Sequence, residues 1–143
     1  MSQIPDLARL TSMGTRALTI VVLVHLAISI VHGQAHTAAA IPLPLAATLF
    51  VYLVIVAGPL VGLALARWRP VAGASVVAAS LGGALLFGLI NHFVIAGPDH
   101  VDHVAPSWRV QFRITALLLV ASEAAGVVVG VRSALRRIPR RAS

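Results

Sequence analysis

The chain has 143 residues, of which 59% are apolar and 10% charged, with a net charge of +7 and no cysteine. A soluble globular domain is about 45–50% apolar and about 25% charged, so this composition is that of a membrane protein. The missing cysteine excludes disulfides, thiolate metal sites, iron–sulfur clusters and covalent haem attachment.

Four apolar segments are predicted in chain order, each long enough to cross a hydrocarbon core of about 30 Å as a helix. They run over about 17–36, 44–66, 71–96 and 114–131. No segment alternates as a barrel strand does, and unsatisfied backbone is costly in lipid. The expected fold is therefore all-α: a four-transmembrane-helix bundle forming a single membrane domain over 1–143. Its connections are a loop at 37–43, a tight turn at Arg67-Trp68-Arg69-Pro70 and a polar loop at 97–108, and a basic tail at 132–143 closes the chain. Gly58-Pro59 should kink the second segment, because proline removes a donor and clashes one turn back.

All eleven basic residues are arginine. Arg9, Arg16, Arg67, Arg69, Arg132, Arg136, Arg137, Arg140 and Arg141 fall on one side of an even number of spans, and only Arg109 and Arg113 on the other. The positive-inside rule then puts both termini in the cytoplasm of a plasma or inner membrane. The arginine tail is expected to lie on anionic lipid headgroups, and no motif suggests nucleic acid. A competing reading treats the first segment as a signal peptide cleaved after Ala40, which would remove three of the six histidines.

Small residues four apart mark close helix packing: Ser122, Gly126 and Gly130 on the fourth segment, and Ser75/Ala79/Gly83 and Ser80/Ala84/Gly88 on the third. They serve packing within one bundle, or a homo-oligomer or larger membrane complex.

The polar residues are not scattered. His25, His32, His36, His92, His100 and His103 all fall in or beside the extracytoplasmic half, together with Asp99 and Asp102. His25, Ser29, His32 and His36 are spaced by four, three and four, so they share one helix face, and His25 lies roughly 16 Å below His36. On that spacing alone, His36 belongs to the solvated interface. His92, with Asn91 beside it, matches His32 in depth. In the loop, a helical turn over 99–103 would face Asp99 and His100 the same way as His103. Arg113 is a candidate partner for Asp99 or Asp102. Glu123 lies roughly 15 Å into the fourth segment, near the depth of His25, either as a neutral acid bonded to a neighbouring helix or as partner of an imidazole. Tyr52 has a hydroxyl in the same half.

Imidazole and carboxylate together suit copper, iron, zinc or manganese. The leading expectation is a metal site drawn from His25, His32, His36, His92, Asp99, His100, Asp102 and His103. Glu123, Tyr52 and Asn91 would serve as second-layer or proton-relay groups. Its role would be redox chemistry or metal handling. A second reading is a b-type cytochrome module with His32 and His92 as axial ligands of one haem b. A third is a non-catalytic accessory subunit, or a small proton-coupled transporter using Glu123 and His25. No Ser/His/Asp order, phosphate loop or HExxH suggests hydrolysis or phosphoryl transfer, and catalytic residues are left unassigned.

Overall fold

The computed structural model describes residues 7–137, with side chains described from 14 onward. The distal tail, with Arg140 and Arg141, and the side chain of Arg9 lie outside the described residues. Four long helices make up most of the described residues: α1 (Leu7–Ala38), α2 (Leu45–Leu65), α3 (Pro70–Val94) and α4 (Pro106–Leu135). No strand occurs among the described residues. Each helix has a stretch long and apolar enough to cross a membrane. Their outward faces are apolar too: Ile20, Ile30, Leu45, Leu53, Val94 and Val110 are all more than half exposed.

The fourth helix starts eight residues before the apolar core at Ile114, because Pro106 initiates it. Proline suits a first helical position, where its missing N–H and fixed φ cost nothing. The loop before it shortens accordingly to 95–105. At the other end of the first connection, α1 closes with Ala40 at φ 53°, the Ile41 N–H bonded to the His36 carbonyl and the Ala40 N–H to that of Thr37. This six-to-one, five-to-two pattern is the usual left-handed helix stop, here taken by alanine rather than glycine.

Gly58-Pro59 does not simply bend α2. The helix widens into a π-helical stretch over Val51–Ala57 and returns to α geometry at Gly58. Pro59 cannot supply the N–H that an α-helix would send to the carbonyl of Ile55, and the wider turns absorb that loss. A second π turn ends α3 at Ile90–Val94, with the Ile95 N–H reaching the Ile90 carbonyl five residues back.

The small-residue faces on α4 and α3 are filled from within the chain. A side chain at Gly130 would meet Ala78 and the Ala74 carbonyl, one at Gly126 would meet Leu81, and one at Gly73 would meet the backbone of Ala66 and Gly62. Of the two α3 stripes, Ser80 and Ala84 are buried while Ser75 and Ala79 are exposed. Leu18, Val22, Ala74, Val77, Leu81 and Ala134 form the dry core of one half of the bundle. In the other half, α1 rests on α4 and α2 on α3, but α1 and α2 meet chiefly along Gly58–Leu65. A cavity of about 650 Å³ opens between them.

Candidate metal centre

The cavity walls are apolar, with Leu26, Ile30, Ile55, Val56 and Phe87 among them, and its polar lining is concentrated in His32, His36, His92, Asp99 and Glu123. The three histidines are buried, and one ligand atom from each lies within 4.8 Å of the others. Two come from α1, where the four-residue spacing stacks His32 and His36. The third comes from the π turn of α3, which rotates His92 inward. Phe112 of α4 packs against all three rings at centroid distances of 4.6, 4.9 and 5.2 Å. Together with Val101 and Val104 it belongs to a second apolar cluster at this end of the bundle.

Hydrogen bonds determine which nitrogens carry protons. His92 Nδ1 faces the Asp99 main-chain carbonyl at 3.0 Å and the Asp99 carboxylate at 3.2 Å. Both are acceptors, so Nδ1 carries the proton and Nε2 presents a lone pair. His32 Nδ1 lies 2.8 Å from the Thr115 hydroxyl, which itself donates to the Gln111 carbonyl at 2.8 Å one turn back. When that proton goes to the helix, the oxygen accepts from Nδ1–H and His32 Nε2 is likewise a lone pair; when it goes to His32 Nδ1, His32 Nε2–H donates to His92 Nε2 instead. The two Nε2 atoms face one another at 3.3 Å. With both Nδ1 atoms protonated, two lone pairs meet, and the position between them suits a cation.

His36 adds Nε2, 3.2 Å from Asp99 Oδ1. The angles there are not those of a hydrogen bond, and both Asp99 Oδ1 and His36 Nδ1 are buried without a hydrogen-bond partner. His36 is therefore enclosed in the cluster rather than solvated at an interface, as its position in the sequence alone suggests.

The remaining sequence candidates separate into two groups. His25 is not in the cluster: two turns deeper on α1, it is fully buried with Nδ1 3.7 Å from Glu123 Oε1, and Glu123 is only 2% exposed. His100, Asp102 and His103 are turned away from the cluster. His103 is exposed and donates to the Gly97 carbonyl at 2.8 Å, the His100 ring lies tilted beside it at a centroid distance of 5.1 Å, and Asp102 pairs with Arg113. The 99–103 segment does not present Asp99 and His103 on one face, because two successive turns redirect it. Asn91 donates to the Phe87 carbonyl on its own helix, and Tyr52, 65% exposed, stands at the cavity rim without bonding to the cluster. Thr115 was absent from the sequence candidates. Its only signal there is a hydroxyl one helical turn after Gln111, which singles out nothing.

The chain is thus a four-helix bundle, each helix long and apolar enough to cross a membrane, with a buried histidine cluster that could hold a metal ion. No protein-family model, curated protein or solved structure matches it.

Proposed function

We propose that this is an integral membrane protein, both termini cytoplasmic, whose His32, His36 and His92 bind one transition-metal ion in the extracytoplasmic half, with Asp99 as neighbouring carboxylate. One observation carries the reading: three buried imidazoles bring one ligand atom each within 4.8 Å of one another, with His32 Nε2 and His92 Nε2 3.3 Å apart and their Nδ1 atoms held by Thr115 and Asp99. A tetrahedral ion bound to imidazoles at about 2.0–2.1 Å holds its donors about 3.3 Å apart. The Nδ1 bonds are of the kind that orient metal-ligating histidines and set their tautomer. With nitrogen donors, one carboxylate and no sulfur, zinc, copper, iron and manganese are the candidate metals.

The same distance favours a bare ion over haem. Axial imidazoles on opposite faces of a haem stand about 4 Å apart with the porphyrin between them. His32 and His92 are closer than that, and Phe112 covers both rings.

Metal content and an absorbance spectrum on tag-free protein in mild detergent test the proposal. Near-stoichiometric metal without a Soret band is expected, with strong loss in His32→Ala and His92→Ala and little change in His103→Ala. A Soret band would select the cytochrome. Repeated absence of metal after resupply, or equal metal in all variants, would remove the site.

A further inference from the structure

Glu123, which lines the cavity, and its neighbour His25 are not explained by the metal cluster. His25 and Glu123 sit two turns below His32, roughly 10 Å along α1. His25 Nε2 is 3.2 Å from the Ile55 carbonyl and 3.4 Å from the Ser29 hydroxyl, whose own proton goes to the His25 carbonyl at 2.8 Å. Both partners accept, so the Nε2 proton is fixed. The Ile55 carbonyl is available because Pro59, four residues on, has no N–H to send to it. His25 Nδ1 then presents a lone pair towards Glu123, and both His25 Nδ1 and Glu123 Oε2 are buried without hydrogen-bond partners. Two acceptors with no donor between them, in a site this dry, call for one proton on the pair.

Among the described residues no other charged side chain lies at this level. On α1 the nearest, Arg16, is about two and a half turns from His25 towards the other end. Tyr52 is the one titratable side chain of α2 and stands exposed at the cavity rim, and His92, the one in α3, belongs to the cluster above. Of the charged residues of α4, Arg113 and Arg109 lie about three and four turns towards the histidine end and Arg132 about two and a half turns towards the other.

We infer that His25 and Glu123 hold one shared proton at the floor of the cavity, and that a divalent metal ion entering the histidine cluster displaces it. This rests on the metal reading above. One M²⁺ enters and one H⁺ leaves to water, so the site passes from a net charge of −1, on Asp99, to zero, with the ion balanced by the Asp99 and Glu123 carboxylates among neutral imidazoles. Neutrality is what a low-dielectric site requires, since an uncompensated buried charge is costly. At about 10 Å and an effective dielectric of about 20, a divalent ion and a proton weaken one another on the order of 100-fold. By linkage the effect is reciprocal.

Calorimetric titration with Zn²⁺, in buffers of different protonation enthalpy, counts the protons released per ion. Wild-type protein should release about one more than Glu123→Gln. Its affinity advantage over that variant should grow with pH, by up to tenfold per unit, towards about 100-fold. Infrared difference spectra of metal-free protein should show a protonated carboxyl or an imidazolium that Glu123→Gln abolishes. Glu123→Met, of similar volume and likewise unable to hold the proton, should remove the extra proton as well and serves if Glu123→Gln does not fold. Equal proton counts with zinc bound overturn the coupling, and no such infrared signal overturns the shared proton. An infrared signal without zinc binding in wild-type protein overturns the metal reading, and the coupling with it, but leaves the proton site standing.

Discussion

Thr115 illustrates how much one hydroxyl can determine. It lies 2.8 Å from His32 Nδ1, and by accepting from that nitrogen it leaves Nε2 free to take a metal. Thr115→Val keeps the shape and removes the acceptor. The bare ring can then rotate or shift its proton, so metal affinity should fall about 10- to 100-fold, the usual cost of losing such a partner. Thermal unfolding of the metal-free variant should change much less. Affinity equal to wild type would show that ring packing against Phe112 alone orients His32. At this scale the sequence was only partly legible. Depth along a helix follows from residue spacing, so His32 with His92 and His25 with Glu123 were expected as levels. The exclusion of His100 and His103 was not, because a loop's path is set by turns and main-chain bonds with no periodicity to read.

The helices make the site through their irregularities. Both π-helical stretches act on it: one rotates His92 inward, the other accompanies the Ile55 carbonyl that holds His25. Proline in the second segment signals some local break, but whether the helix kinks or widens depends on what packs against it. Gly58 lies so close to Ser80 that a side chain there would clash. Gly73 carries the matching prediction for packing. A β-carbon at Gly73 would press on the backbone of Ala66 and Gly62, which has no flexible end to yield. Gly73→Ala should therefore destabilise by about 1–3 kcal/mol. At Gly33 a β-carbon meets nothing within 4 Å, and Gly33→Ala should be neutral or gain up to about 1 kcal/mol of helix propensity. Thermal melts in one detergent compare the two; equal melting points would mean that α2 and α3 separate more easily than their contact implies.

For the whole molecule, the open side of the bundle matters most. The close packing of α3 with α4, α1 with α4 and α2 with α3 leaves the cavity between α1 and α2. The metal-cluster residues line it, whereas Val101, Val104 and Phe112 close over the end of the bundle. Orientation can be tested directly, since the chain contains no cysteine to remove. Single cysteines at Pro98 and Ser107 should react with an impermeant maleimide on intact cells. One at Trp68 should react only after permeabilisation. The opposite pattern would invert the topology and put the histidine cluster on the cytoplasmic side.

The sequence by itself determined that there are four apolar helices, roughly where they run, and that the ionisable groups gather in one half. Those properties are sums over neighbouring residues: hydropathy, length and spacing are local, and a bilayer-length run of apolar residues has few alternatives to a helix. Only the tertiary structure decided which three of six histidines meet, which main-chain and side-chain groups hold them, and that Glu123 stands against His25. Those outcomes depend on helix rotation, on two π turns and on a loop's path. Each is set by contacts between residues far apart in the chain, and spacing along a single segment carries no record of them.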